Sequence, residues 1–322
     1  MLTTDGKYVV AAPGAKDNPA SSFVVGVPGR GSLHKLMARK STVGFLMTLP
    51  LITLLVALVA YPAGSAIYLS MLDRGMTKFV GLGNFARLFG SDRFWRVVYQ
   101  TCLLAITAVV CKAIIGFAAA HFMHNIPTRG QRKWRGMLLV PWVIPPAMST
   151  LAWRELFDPS FSAFNWIFEH VGLHRISWLA EAGWARFSVI LATVWMGAPF
   201  FMIMYLAALK SVPDELYEAA SIDGATWWQR TRYVTFPMTR NVIAITMLFS
   251  LIGGFTGFTI VNVLTNGGPL GATQVLVTAA FLIGLGGGNF PMGAAVSLCM
   301  VPFLAVAATL ILRTIAKRGN EV

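Results

Sequence analysis

Long apolar segments alternate with short polar segments along this chain of 322 residues. A helix needs about 20 apolar residues to cross the hydrocarbon core of a bilayer. Six segments reach that length, and each predicts a transmembrane helix. They are residues 43–71, 97–123, 136–156, 186–209, 242–264 and 291–314. The pattern therefore predicts an all-α membrane protein with six transmembrane helices.

Two of the apolar stretches are irregular. The third predicted helix contains Pro141, Pro145 and Pro146. Such prolines are tolerated where neighbouring helices or a cavity satisfy the freed carbonyl groups, so we expect this helix to lie inside a bundle. A further apolar stretch, 272–288, is too short to span a bilayer and ends in three glycines. We expect it to lie at the outer interface or to re-enter the bundle.

The distribution of Lys and Arg predicts how the helices are oriented. The basic residues of the N-terminal tail, of segments 125–135 and 210–240, and of the residues after Leu312 together outnumber those of the other connecting segments. Cytoplasmic loops carry the excess of basic residues in membrane proteins. Both termini are therefore predicted to be cytoplasmic, with residues 1–40 as a flexible cytoplasmic tail and residues 41–318 as the transmembrane domain.

The composition limits the function classes further. Hydrophobic residues make up 56% of the chain and charged residues 12%, whereas a soluble domain has about 25% charged residues. The basic residues are scattered in short loops, so the net charge of +13 predicts contact with membrane lipid and no nucleic-acid partner. The three cysteines fall inside predicted helices, so neither a disulfide framework nor a cysteine metal site is predicted.

Residues 211–240 form a long polar passage between the fourth and fifth apolar segments. Ser211 and Asp214 have the spacing of a capping box and predict a short helix that runs to about Ile222. Gly224 is then expected to end this helix. A helix–glycine–helix elbow fits two roles, docking into a cleft of another protein or resting on the lipid surface as a connector. The residues alone favour neither role.

The passage EAASIDGATWWQRTRYVTFP, residues 218–237, resembles the EAA motif of ABC importer permeases. In that family the elbow is the cytoplasmic coupling helix, which docks into a groove of the ATPase subunit. Asn241 departs from the pattern, because a second proline is common there. The resemblance implies that coupling to the ATPase involves Glu218, Ala219, Ala220, Asp223, Gly224 and Ala225, and Gln229 and Pro237 also match.

The resemblance extends over about residues 42–318 and is to carbohydrate-uptake permeases of the maltose type. It is carried by FVGLGNFARLFGSDRFW, LLVPWVIPPAMSTLAWRELFD and VWMGAPFFMIMYLAALKSVPDELYEAA, and VLTNGGP at 263–269 resembles the first of two unlike permease subunits. It implies a non-catalytic, multi-pass subunit of the cell inner membrane with the type I ABC importer fold. The implied partners are a second homologous permease, two ATPase subunits, an extracytoplasmic solute-binding protein and a sugar-type solute.

No cofactor is expected on this chain itself. It lacks the G-x-x-x-x-G-K-[ST] phosphate loop, so ATP and Mg are expected on the partner ATPase subunits.

A sugar pathway needs aromatic faces for pyranose rings and polar groups for their hydroxyls, on interrupted helices. In maltose-type permeases, bound sugar is contacted from positions that match Ser149, Thr193, Gly197, Phe200, Ser250, Gly254 and Gly257. The predicted pathway also includes Phe255, Phe258 and Thr259. Several matching positions carry amide side chains in that family and Thr or Gly here, so maltose itself is not expected to be the solute. Ordinary helix packing stays an alternative for each residue.

Lys112 lies within the second predicted helix, where a charge is costly and suggests function. We interpret it as a residue that snorkels to the inner surface or pairs inside the bundle. His121 and His124 share a helix face without an evident third ligand, so no metal site is predicted. An ion-coupled secondary carrier is the alternative function, but such carriers place ionisable groups deep in their helices, and the six apolar cores hold no acidic residue.

Overall fold

A computed structural model describes residues 40–319, and the described part consists of helices and loops with one isolated bridge between Leu72 and Phe79. Five of these helices are long and apolar enough to cross a membrane. A bent pair of shorter helices gives a sixth crossing if the pair is counted as one span. The all-α prediction is confirmed for the described part. The predicted tail, 1–40, lies outside it except for its last residue.

The described helices, in chain order, are α1 (Lys40–Leu55), α2 (Tyr61–Ser70), α3 (Gly83–Phe89), α4 (Asp92–Asn125), α5 (Thr128–Val143), α6 (Pro146–Leu156), α7 (Ala163–His170), α8 (Ala182–Leu209), α9 (Asp214–Ile222), α10 (Trp227–Arg230), α11 (Phe236–Thr256), α12 (Thr259–Leu264), α13 (Leu276–Phe281), α14 (Phe290–Leu298) and α15 (Met300–Gly319). Single π-helical turns join α1 to α2, join α10 to α11 and extend α13. These turns are Val56–Ala60, Thr231–Thr235 and Leu282–Gly286.

The chain divides into two compact units, residues 1–64 and 65–322. In the first unit, the described residues form α1, its π-helical turn and the start of α2, and Pro50 lies inside α1. In the second unit, α4 and α8 pack along each other and form a buried core. Its buried residues are Val109, Ala120, Met123, Phe201, Met202, Tyr205, Leu206 and Leu209.

The backbones of α4 and α8 come close together at Gly116. A Cβ added at Gly116 would collide with the Cβ of Phe201 and lie 3.1 Å from the backbone nitrogen of Met202. Small residues permit such an approach between membrane helices. Ala120 and Met123 follow on the same face of α4 and are fully buried. Gly116 therefore sets the distance between the two central helices of this unit.

The third predicted span is broken. α5 and α6 meet at an angle of 89°, and Ile144 and Pro145 between them are extended. A proline disfavours the helical conformation of the residue before it, which explains why the helix ends before Pro145. Pro141 stays inside α5. α5 contacts α8, and α6 contacts α12, so both halves pack within this unit, as expected.

The fifth span starts earlier than its apolar pattern predicts. The structure has a helix from Trp227 to Thr256, in which α10, a π-helical turn and α11 are continuous, whereas the prediction was 242–264. The polar residues after Trp227 continue the helix, so hydropathy alone places its start too late. The chain then breaks at Gly257, where an added Cβ would lie 3.0 Å from the carbonyl oxygen of Gly253.

The short apolar stretch predicted at 272–288 forms a helix at Leu276–Gly286. Leu276 is fully buried, and its backbone N–H donates a hydrogen bond to the Thr101 hydroxyl at 2.9 Å. The helix packs against α4 and α14. The start of this helix is therefore packed into the bundle, and its placement at the outer interface or as a re-entrant segment stays a prediction.

Candidate functional site

A cleft of about 370 Å³ is lined mainly by α4, α8 and α11, with further residues from α5 and α12 and with Val275. Ligand clefts have volumes of about 300–1,000 Å³, so this one can hold part of a small molecule. Most of its lining is apolar. Its polar side chains are those of Lys112, Thr193 and Ser250, its aromatic ones are those of Trp142, Phe200, Phe201 and Phe249, and its glycines are Gly197, Gly253, Gly254 and Gly257.

Lys112 is the charged residue of the cleft lining. It is 6% exposed, and its Nζ lies 5.9 Å from the centroid of the Phe201 ring, which is within the range of a cation–π contact. It makes no ion pair within residues 40–319, the part that the structure describes. The described residues therefore give Lys112 a cation–π contact and no ion pair, and snorkelling or pairing inside the bundle stays a prediction.

Glycines bring the walls of the cleft together. A Cβ added at Gly197 of α8 would collide with Cδ of Lys112 and lie 3.4 Å from its Nζ. A Cβ added at Gly254 of α11 would lie 3.2 Å from Cβ of Ala105 on α4. The absence of a side chain at Gly197 thus leaves the space that the lysine occupies.

The two hydroxyl groups of the cleft differ in their hydrogen bonds. The Thr193 hydroxyl donates to the carbonyl of Val189 at 2.7 Å, so its proton is used within α8. The Ser250 hydroxyl oxygen is buried and has no hydrogen-bond partner in the described part of the chain. A buried polar group without a partner costs about 1–3 kcal/mol, so a ligand that bonds to Ser250 removes that cost.

An aromatic surface borders the same cleft. The rings of Trp142 and Phe200 are stacked, with their centroids 6.2 Å apart and an angle of 26° between their planes. Flat aromatic faces beside hydroxyl and ammonium groups suit a ligand with both apolar and polar surfaces, such as a sugar ring.

The connection between α8 and α11 forms a short exposed helix that ends at a glycine. α9 ends at Ile222, as predicted, and none of its residues is buried. The N–H groups of Gly224 and Ala225 donate to the carbonyls of Ser221 and Ala220 at 3.1 and 2.9 Å, the pattern of a Schellman C-cap. Gly224 has a φ of +70°, and an added Cβ would have no neighbour within 4 Å. Backbone conformation, and not crowding within this chain, therefore explains the glycine.

The caps of the two elbow helices differ from the prediction. The Ser211 hydroxyl donates to the carbonyl of Ala208 at 2.7 Å, and α9 has no side-chain cap, so the capping box predicted there is wrong. A capping box is found instead at α10. The side-chain oxygen of Gln229 accepts from the Thr226 N–H at 2.7 Å, and the Thr226 hydroxyl oxygen accepts from the Gln229 N–H. The glutamine of the motif thus fixes the start of α10.

α9 turns one face toward the following helix and the other outward. The Tyr217 hydroxyl lies 3.0 Å from Oγ1 of Thr235, and the Arg230 guanidinium donates to the Ser221 hydroxyl at 3.2 Å. The outward face is exposed and combines carboxylates with a large apolar side chain. Its residues are Glu215, Glu218, Ala219 and Ile222.

The elbow is also bonded to α4. The indole N–H of Trp227 donates to Nε2 of His121 at 2.7 Å, and their ring centroids are 5.2 Å apart. This joins the elbow to the helix that carries Lys112. Among the described residues, no group of three or more His, Cys, Asp or Glu side chains could hold a metal ion.

Comparison with known proteins establishes the family of this chain. Residues 40–318 match the family described as "Binding-protein-dependent transport system inner membrane component". The chain belongs to this family. It is a permease subunit of an ABC importer, the non-catalytic membrane component, and the alternative of an ion-coupled carrier is overturned.

Relatives of this permease come from bacteria and archaea. It is 32% identical to the trehalose/maltose transport system permease protein of Thermococcus litoralis, over 82% of this chain and 90% of that protein. It is 29% identical to the maltodextrin transport system permease protein of Bacillus subtilis, over 83% of this chain and 67% of that one. Against a chain of a bacterial ABC transporter that imports alginate, it has a TM-score of 0.75 at 24% identity, over 89% and 99% of the two chains. That likeness shows the fold.

The structure brings six of the ten predicted pathway residues of the permease to the cleft. They are Thr193, Gly197, Phe200, Ser250, Gly254 and Gly257. The other four lie outside its lining. Ser149 is buried, and its hydroxyl contacts the carbonyl of Pro146 and the sulfur of Met196. Phe255 is buried, the ring of Phe258 lies 4.8 Å from that of Phe281, and Thr259 begins α12.

The charged and aromatic residues of the cleft lining that the predicted pathway did not include are Lys112, Trp142, Phe201 and Phe249. A charge in the middle of an apolar segment was the available signal for Lys112. Trp142 precedes the break between α5 and α6, and Phe249 precedes Ser250, so each lies beside a feature that was recognised. Nothing in their own spacing separates them from lipid-facing aromatic residues.

Proposed function

We propose that this permease passes a sugar, oligosaccharide or sugar-like glycoside into the cytoplasm. The observation that carries the proposal is the cleft, whose lining includes the stacked rings of Trp142 and Phe200 and also Ser250, whose hydroxyl has no hydrogen-bond partner among the described residues. The printed names of the relatives, trehalose/maltose and maltodextrin permeases, support the same class of solute. Aromatic rings bind the apolar faces of pyranoses, and hydroxyl groups bind their hydroxyls.

The importer would consist of this chain, a second homologous permease, two ATPase subunits and an extracytoplasmic solute-binding protein. ATP and Mg would be bound by the ATPase subunits, and this chain would bind no cofactor. The description of the family as binding-protein-dependent supports the last of these partners. This chain would line one half of the solute pathway, and the second permease would line the other half.

Glu218, Ala219, Ala220, Asp223, Gly224 and Ala225 form the proposed docking elbow for the ATPase. Its support is a helix without a buried residue, whose outward face carries Glu218 and Ile222, the latter 87% exposed. A large exposed apolar side chain between carboxylates is a surface suited to a protein partner. Closure of the ATPases on ATP would move the elbow, and α8 and α11 would tilt with it.

The proposed orientation places both termini, the tail of residues 1–40 and the elbow in the cytoplasm, with residues 41–318 as the transmembrane domain. The excess of Lys and Arg in the corresponding segments supports this orientation. Residues 154–181, between α6 and α8, would then face the solute-binding protein.

The test is uptake by the reconstituted complex. Proteoliposomes that contain this chain, the second permease and the ATPases are loaded with ATP, and uptake of labelled disaccharides is measured with and without the binding protein. The expected result is uptake that requires both ATP and the binding protein. Uptake driven by an ion gradient without ATP, or uptake of amino acids and no saccharide, would contradict the proposal.

A further inference from the structure

We propose that Lys112 pairs with an oxyanion, a carboxylate or a phosphate, on the transported solute. The proposal rests on the transport function above and narrows it, because it makes the solute an acidic saccharide or sugar phosphate. It is built on four observations: the burial of the Lys112 side chain, its position in α4, the chemistry of the cleft lining, and the space left by Gly197.

The positive charge of Lys112 is buried without a counter-charge among residues 40–319, the part of the chain that the structure describes. The residue is 6% exposed, and the ion pair found among the described residues joins Arg175 to Glu169 on the surface. The cleft lining contains no Asp or Glu among the described residues. A buried charge without a partner is strongly unfavourable, so the site is incomplete without an anion.

Lys112 also lies well inside α4, away from both ends of the helix. It precedes Asn125, the last residue of α4, by thirteen residues, which is about 20 Å along a helix at about 1.5 Å per residue. A four-carbon stem does not cover that distance, so the ammonium group does not reach the C-terminal end of α4, and snorkelling to the inner surface stays a prediction. The Nζ lies instead 5.9 Å from the Phe201 ring, on the side of the cleft.

The surrounding groups suit an oxyanion. Ser250 lines the same cleft, and its buried hydroxyl has no hydrogen-bond partner among the described residues, so a solute oxygen that reaches it would gain a donor in addition to the ammonium group. Gly197 leaves the space for the lysine stem, because a Cβ there would collide with Cδ of Lys112. A neutral sugar would satisfy Ser250 but would leave the charge unpaired.

The experiment compares matched saccharides in the reconstituted importer. Uptake of a neutral disaccharide, a uronic-acid disaccharide and a sugar phosphate is measured for the parent, Lys112→Met, Lys112→Arg and the control Lys133→Met, which removes a charge at an exposed position of α5. The parent is expected to prefer one of the acidic solutes. Lys112→Met should lower uptake of that solute by about tenfold or more, because one partner of a buried pair is removed.

The neutral solute distinguishes a charge effect from a failure to fold. With Lys112→Met, its uptake should be unchanged or higher, and Lys112→Arg should retain most of the acidic preference. Lys133→Met should match the parent for all three solutes. Equal losses of neutral and acidic uptake in Lys112→Met, or a parent that transports the neutral solute best, would overturn the pairing while leaving the transport function intact. Uptake of none of the saccharides by the parent would contradict the transport function instead.

Discussion

Replacing Gly224 with Asp is expected to uncouple transport from ATP hydrolysis. Gly224 is the C′ residue of α9, with a φ of +70° and no atom within 4 Å of an added Cβ. The backbone strain of a side chain at positive φ is about 1–2 kcal/mol, and a carboxylate at a helix C-terminus adds about 0.3–1 kcal/mol. Neither effect depends on a partner.

A second glycine in this chain has the same local geometry and provides the control. Gly172 is the C′ residue of α7, with a φ of +79° and open space around an added Cβ. The N–H groups of Gly172 and Leu173 donate to the carbonyls of Glu169 and Phe168 at 3.1 and 2.8 Å, the same Schellman pattern as at Gly224. Gly172→Asp therefore carries the same local cost as Gly224→Asp.

The difference between the two variants measures the docking of the elbow. A carboxylate that becomes buried without a partner costs more than the roughly 1–3 kcal/mol of a neutral polar group, which corresponds to ATPase binding weakened by more than about 5- to 150-fold. The assay is uptake and copurification of the ATPase from membranes that contain equal amounts of each permease variant. Gly224→Asp should lose both, and Gly172→Asp should retain ATPase copurification. Equal retention of the ATPase in the two variants would refute the docking role of Gly224.

Three further changes test the packing, the elbow contact and the cleft. Gly116→Ala should lower the free energy of unfolding by about 1–3 kcal/mol through overpacking. The control Gly136→Ala, with open space around its Cβ, should not lower it. Equal stability of the two variants in detergent melts would contradict this prediction. Trp227→Phe removes the hydrogen bond to His121, worth about 0.5–1.5 kcal/mol, and should weaken solute-stimulated ATPase activity more than Trp228→Phe does. The reverse order would show that this hydrogen bond does not contribute to coupling. Phe200→Ala should raise the KM of uptake about 2- to 10-fold through lost stacking, and an unchanged KM would place the solute elsewhere.

The helical elements were predicted well where a long apolar segment marks a span or where a glycine marks the end of a helix. The second and fourth spans are helices at Asp92–Asn125 and Ala182–Leu209, each longer than its apolar core. The end of α9 at Ile222 was predicted because a glycine at positive φ stops a helix whatever surrounds it. The start of the fifth span was missed because amphipathic residues from Trp227 onward form helix without being apolar.

The site was predictable only in part, because a cleft depends on which side of each helix faces its neighbours. Ser149 and Phe255 have the composition expected of a pathway, yet packing buries both of them outside the cleft. Lys112 had a clear signal as a charge in an apolar helix, but its surroundings come from α8, more than 80 residues later in the chain. A contact between segments so far apart in the chain cannot be predicted from the spacing of residues within one helix.

The close approach at Gly116 has a mechanical consequence for the importer. Two helices whose backbones touch cannot slide past each other without a collision, and packed interfaces switch between discrete arrangements and do not deform smoothly. α4 and α8 are therefore expected to move as one rigid body. The third wall of the cleft is α11, which ends at the break at Gly257. A hinge at that break would let α11 tilt against the α4–α8 pair and change the width of the cleft, without any shear between α4 and α8.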